Sequence, residues 1–244
     1  MSNELLTDEL SAPLDGATTA SVDIHSGSGN LTIDELPEDE QLLASGSLEY
    51  FEKQGKPTRS ITSDRGEAKL TLQGADSGQP WFRFPWAACT GATQWQIHLN
   101  RVVSDISAHT GGGNVKLNLA GMAVSHVSAD SGGGNMEVVL PEHAANLGVA
   151  ARTGGGNITV EIGSQTTGSN AVEANSGAGN VVVRVPHGMA ARVHARSGLG
   201  KVMVDSPFSR IDGQTYQSAD YDAAVDKVEI TVSTGAGNVT VNAM

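Results

Sequence analysis

The sequence is short of the residues that staple, anchor or redirect a chain. It has one cysteine, Cys89, so no intrachain disulfide can form. No Cys-x-x-Cys or His/Cys spacing surrounds it, and it reads as a small buried or half-buried hydrophobe. Aromatic residues make up 4% of the chain, which excludes a core built of rings and leaves Val, Ile, Leu and Ala to fill it. Positive charge is scarce: 15 Lys and Arg stand against 27 Asp and Glu, a net charge of −12. That balance argues against a nucleic-acid backbone or an anionic lipid surface as the main partner. Part of the acid clusters at Asp34, Glu35, Glu38, Asp39 and Glu40, which read as a solvated loop. No apolar run approaches the length of a membrane-spanning helix. The opening MSNELLTDEL lacks the basic and apolar regions of a signal peptide. The expected location is therefore the cytoplasm, with any membrane association peripheral and through a partner protein.

Glycine is abundant, 30 residues in all, and it is placed periodically. A Ser/Thr-Gly-x-Gly-Asn string occurs at Ser26–Asn30, Thr110–Asn114, Ser131–Asn135, Thr153–Asn157, Ser176–Asn180 and Thr234–Asn238, with a variant at Ser197–Lys201. From Asn114 through Asn135, Asn157 and Asn180 to Lys201 the steps are 21, 22, 23 and 21 residues. A fixed period of this length is the mark of a repeat architecture. After each string apolar residues alternate with polar ones, as in Val115, Leu117 and Leu119 or Val181, Val183 and Val185. Before it, Val/Ile stands four residues ahead and usually Ala two ahead, as in Val127 and Ala129. Period-two alternation predicts half-buried strands.

Each unit thus reads as strand, Pro/Gly corner, strand, Gly-rich corner. Units stacked at the ordinary strand spacing of about 4.8 Å share one core that no unit could bury alone. The glycines are expected to supply positive φ at a tight corner, and stacked Asn side chains could form a ladder. A phosphate-binding role for the corners is not expected, because strands and not helices follow them. Calcium is not expected either, because the corner ends in neutral Asn and no carboxylate recurs there.

The fold expected is all-β, a single-stranded β-solenoid or β-helix-like stack of coils of about 21–23 residues. Residues 1–20 form an N-terminal extension and residues 21–244 one solenoid domain. Within it, 41–95 hold irregular, antiparallel capping strands and an aromatic loop, and 96–204 the regular repeats. Residues 205–220 form a long loop over the last coil, and 221–244 the strands that close the stack.

The run WQIHLN at Trp95–Asn100, the segment TGGGNVKLNLAGM at Thr110–Met122, and Met136–Pro141 and Asn157–Ile162 resemble the toast-rack, or adhesin-like, β-strand-repeat domains. Ser197–Gly200, Tyr216–Ser218, Tyr221–Asp222 and Val228–Val232 resemble them as well, as does Ser21–Ile33. Such domains stand at the C-terminus of Lia-type cell-envelope stress proteins. The resemblance implies a solenoid-like fold without known catalysis, and a link to envelope stress through protein contacts. Many such proteins carry membrane-spanning segments before this domain and this sequence shows none, so an envelope role would run through a partner.

Few residues suggest chemistry. The column just before each Ser/Thr reads His25, His109, Asp130, Arg152, Asn175, Arg196 and Ser233. If the first two units are neighbours, His25, His109 and Asp130 could bind a metal. The column continues with arginines, so the expectation is a solvated ladder, and no metal or cofactor is assigned. No pair of acids or Ser/His/Asp spacing nominates a catalytic centre. The expected function is a non-catalytic structural or protein-interaction module. The alternatives are a glycan-binding, adhesin-like protein and, further off, a carbohydrate-active β-helix enzyme. Trp81, Phe82, Phe84 and Trp86 either fold their rings down to close the end of the core or form a patch for a protein or glycan. Any partner contact is expected there, where the repeat breaks, and at 205–221. Self-association through the ends of the stack is a further expectation.

Overall fold

Alternating Val/Ile/Leu with polar residues leaves each segment one way to hide its apolar side, which is to lie in a sheet facing a second sheet. The computed structural model, which describes residues 4–37, 41–75 and 93–244, shows this arrangement and no helix among those residues. Among the described residues, therefore, no helix is long and apolar enough to cross a membrane.

The strands run in chain order as β1 (Leu5–Pro13), β2 (Thr19–His25), β3 (Gly29–Glu35), β4 (Leu42–Phe51), β5 (Thr58–Asp64), β6 (Glu67–Gln73) and β7 (Thr93–Leu99). The regular part follows as β8 (Val103–Thr110), β9 (Val115–Asn118), β10 (His126–Ser131), β11 (Met136–Val139), β12 (Gly148–Thr153), β13 (Ile158–Glu161), β14 (Ser169–Ala178) and β15 (Val181–Val185). Last come β16 (Ala190–Leu199), β17 (Val202–Val204), β18 (Ser209–Arg210), β19 (Thr215–Gln217), β20 (Lys227–Ala236) and β21 (Val239–Ala243).

Two large mixed sheets result. The first has ten strands in the order β1-β4-β7-β3-β9-β11-β13-β15-β21-β17. The second has eleven, in the order β18-β19-β16-β20-β14-β12-β10-β8-β2-β6-β5. In the regular part the strand before each Gly-rich corner lies in the second sheet and the strand after it in the first. Neighbouring units pair in parallel and in register, Val127 with Val149 and Met136 with Ile158 for example. The columns read from the sequence face inward. Ala108, Ala129, Ala151 and Ala174 are fully buried, as are Leu117, Val160 and Val183.

The corners stack as well as the strands. Asn114, Asn135, Asn157, Asn180 and Asn238 each take the Oδ1 of the preceding Asn in the stack on their own backbone N–H, at 2.8–3.0 Å. Lys201 takes the last one, from Asn238, at 3.0 Å. Lys has no oxygen to pass on, so the ladder stops at the outermost unit, where a further copy could otherwise dock. A second ladder runs inside it. The hydroxyls of Thr110, Ser131, Thr153, Ser176 and Thr234, all buried, and of half-buried Ser197 donate to the carbonyl of the glycine just before the Asn in the preceding corner of the stack, at 2.7–3.0 Å. That is why the position is Ser or Thr. Thr153→Val keeps the shape but leaves the Gly134 carbonyl without its donor, and should cost about 1–3 kcal/mol. Urea denaturation checks this, and an unchanged midpoint would mean that the carbonyl has found another donor.

Two expectations about order along the stack are corrected. The stretch 41–95 is not all antiparallel capping. β4 pairs antiparallel with β7, and β5 with β6, but β6 and β7 themselves run parallel to β2 and β3. They form a further unit whose corner is interrupted, with Leu70 and Leu72 beside Val22 and Ile24. The final strands do not close the stack either. β20 lies between β14 and β16, and β21 between β15 and β17. The unit β16–β17 is outermost, and the chain crosses it through the short antiparallel strands β18 and β19 before returning to fill the gap. The segment read as an N-terminal extension contributes β1, which pairs antiparallel with β4 at the edge of the first sheet.

Candidate functional site

Side chains that leave the core from the second sheet stand in rows across the strands, because the pairing is parallel and in register. The first row crosses Ser21, Asp105, His126, Gly148, Ala171 and Glu229. The second crosses Asp23, Ser107, Ser128, Ala150, Glu173 and Thr231, and the third His25, His109, Asp130, Arg152, Asn175 and Ser233. Where the first two rows shrink to Gly148, Ala150, Ala171 and Ser128, the sheet surface is bare. The longer side chains on either side wall an open trough of about 690 Å³. Asp23 and Asp105 stand toward one end and Glu173 and Glu229 toward the other.

The walls are held by their own partners. Arg152 grips Glu173 with two hydrogen bonds, at 2.9 and 3.3 Å. Asp105 and Glu229 pair with His126 and His194, each at 3.4 Å. These pairs are half-exposed, so each contributes at most about 1 kcal/mol to stability. Their effect is to fix where charge stands around the bare floor.

The third row contains the group singled out in the sequence. Its first two units are neighbours in space, with His25 opposite His109 and His109 opposite Asp130. The two imidazoles stack with centroids 4.7 Å apart and planes at 18°. His109 Nδ1 lies 3.3 Å from Asp130 and its Nε2 2.8 Å from Ser107 Oγ. Asp23 joins from the second row, with Oδ1 3.0 Å from His25 Nε2. Sequence reasoning missed Asp23 and Ser107. The signal was the spacing of two, Asp23 to His25 and Ser107 to His109, which puts both members of each pair on one face of a strand. Ser107, His109 and Asp130 have the connectivity of a nucleophile, a base and its orienting acid. Acyl transfer also needs N–H groups aimed at a developing oxyanion. The strand that carries Ser107 lies between β2 and β10, and its amides are committed to the sheet. The trio therefore lacks that half of the machinery.

The aromatic loop residues Trp81, Phe82, Phe84 and Trp86 lie outside the described residues, as does Cys89. In the second irregular segment Tyr216 is half-buried, and the other two rings are turned inward. Phe208 and Tyr221 are buried, and the Arg192 guanidinium lies over the Tyr221 ring at 4.4 Å. Burial is the main cause that holds the Tyr221 phenol above its ordinary range, with Glu229 adding to it.

Comparison with known proteins places this architecture. No curated protein matches the chain. Among solved structures it is similar to a "putative cell adhesion protein" from Clostridium sporogenes ATCC 15579. That match has a TM-score of 0.66 and 16% identity, over 99% of this chain and 100% of that one. It is also similar to a "putative adhesin" from Bacteroides fragilis NCTC 9343, with a TM-score of 0.43 and 13% identity, over 99% and 98% of the two chains. The first likeness supports the all-β fold. The family model described as the N-terminal domain of toast_rack, DUF2154, matches residues 1–161. The chain belongs to the toast-rack family.

Proposed function

We propose that the protein is a non-catalytic interaction module, a β-solenoid that holds an extended segment of a partner protein across the outer face of its second sheet. The trough floored by Ser128, Gly148, Ala150 and Ala171 carries this reading. It crosses six parallel strands, roughly 24 Å at ordinary strand spacing, which suits a chain in extended form. Its floor offers hardly any side-chain bulk, and its walls bring more carboxylates than cations, so a neutral or basic segment fits best. Toast-rack membership supports the reading. Any role in envelope stress would run through such a partner.

The second reading is an adhesin-like glycan binder. It is favoured by the hydroxyls of Ser21, Ser107 and Ser128 along the same surface, and by the name of the Clostridium sporogenes protein.

One experiment separates the two. A photo-crosslinking residue at Ser128 is expected to give a protein adduct in cells. The adduct is expected to vanish when Ala150→Trp fills the trough, and not to form from Thr159 on the opposite sheet. Equal adducts from both faces would overturn the reading. Loss of cell-wall pelleting in Ala150→Trp without any protein adduct would favour the glycan.

A further inference from the structure

We propose that Asp23, His25 and His109 form a binding site for one divalent transition ion of borderline softness, with Zn²⁺ the representative case. The three side chains each bring a ligand atom, and these atoms all lie within 4.8 Å of one another. It is the one such group among the described residues. Two imidazoles and a carboxylate are the donor set that Zn²⁺ and its neighbours accept, while Ca²⁺ and Mg²⁺ require an all-oxygen cage.

Three features of the sheet prepare the site. His25 and His109 are direct cross-strand partners, as are Asp23 and Ser107. The His25 ring reaches back to Asp23 and the His109 ring to Ser107, so both Nε2 atoms are directed to one spot. Asp130 lies beside His109 Nδ1. A carboxylate there holds the proton on Nδ1 and leaves the Nε2 lone pair for an ion, the usual support behind a metal-bound imidazole. Finally, Asp23 Oδ1 is itself buried and accepts no hydrogen bond. His25 Nε2 is 3.0 Å from it, an ion-pair distance, without a hydrogen bond between them. A buried carboxylate oxygen without a donor is costly, and an ion would satisfy it.

Bonds of about 2.0–2.2 Å to one Zn²⁺ put neighbouring ligand atoms on the order of 3 Å apart. His25 and Asp23 already stand at that separation. A rotation of His109 away from Ser107 closes the rest. The side chains are 34–40% exposed, so the ion enters from solvent and water completes its shell. The pH-relevant neighbours on the packed strands are Asp130 and Asp105 on the acidic side, with Lys69 and Arg152 on the basic side.

Calorimetric titration of the metal-stripped full chain with ZnCl₂ tests the site, with Co²⁺ absorption reporting coordination. One equivalent is expected to bind. Asp23→Asn and His109→Ala should each weaken it at least roughly tenfold, and Asp130→Asn roughly tenfold or more through its hold on the ring. Ser107→Ala should not weaken it, because it removes a competitor for Nε2. His194→Ala, which breaks a His–Glu pair on the same face, should leave binding unchanged. Melting of each metal-free variant is read alongside. His109→Gln repeats the test if the alanine variant melts early. No binding by the wild type at millimolar Zn²⁺, or equal binding by the Asp23 and His109 variants, overturns the site.

Discussion

Gly134→Ala is expected to destabilise the protein by at least about 3 kcal/mol, whereas Gly133→Ala, one residue earlier, is expected to change stability by less than about 1 kcal/mol. Both glycines belong to the same corner, so composition and propensity do not separate them. What separates them is the next unit. A Cβ on Gly134 would fall on the Gly113 carbonyl, well inside van der Waals contact, while a Cβ on Gly133 meets nothing nearer than 3.9 Å. The obstacle is backbone, which cannot swing aside as a side chain can. Moving it would break the Ser131 hydroxyl bond to Gly113 and the Asn135 bond to Asn114. The same contrast holds in other units. A Cβ on Gly113, Gly156, Gly179 or Gly237 would likewise fall on the carbonyl of the glycine before it in the stack, while the middle position is Ala178 or Leu199 in other corners. Thermal or urea denaturation of the two variants reads the difference. Equal losses would place the cost in the corner's own conformation and not in the stacking.

That result bears on what could be read from the sequence. The expectation was that the glycines serve positive φ. Some of the glycines just before the Asn do have it, Gly156 at 153° and Gly237 at 148°, but what these glycines share is close approach to the neighbouring unit. A one-dimensional pattern shows that Gly recurs and not whether φ or a neighbour demands it. The inward columns were legible for a different reason. Val127 and Ala129, or Ile158 and Val160, declare their side by alternation alone. The unit β6–β7 was hidden because its Gly-rich corner is replaced by a long connection, although Leu70, Leu72, Trp95 and Ile97 keep the alternation and are buried.

The candidate site was legible only by half. His25 and His109 shared a column position, but their contact depended on β2 lying beside β8, some 80 residues on in sequence. Asp23 and Ser107 offered only their spacing of two from His25 and His109, which puts each pair on one face of a strand but does not say that the two pairs meet. The trough was invisible, because it is made by what Gly148, Ala150 and Ala171 lack. It exists only once six strands are in register. Function therefore separates from the motif: the corners set the register, and the surface chemistry stands on the strands between them.

The other large effect follows from the order of units. Ending the chain at residue 226 is expected to unfold the C-terminal third of the stack and not merely to trim its end. β20 and β21 are the last strands in sequence but are internal in both sheets, paired with β14 and β15 on one side and β16 and β17 on the other. Val228, Ile230, Val232, Val239 and Val241 are all fully buried. At about 1.5–3 kcal/mol for each such side chain, their burial is comparable to the whole net stability of a typical domain, about 5–15 kcal/mol. Without them β16 has no parallel partner, and only the short β19 remains beside it. Hydrogen exchange on the shortened chain should show β16 and β17 unprotected while β8 to β13 keep their protection. The melting midpoint should fall by ten degrees or more, of the order expected when several kcal/mol are lost. Two point variants isolate position from length. Ile230→Ala in the internal unit should cost about 2–5 kcal/mol, and Val202→Ala in the half-buried outermost strand about 1 kcal/mol or less. A shortened chain that still protects β16 would mean that β16 can pair with β14 directly. The final strands would then be an addition to the stack and not the unit that joins its outermost layer to the rest.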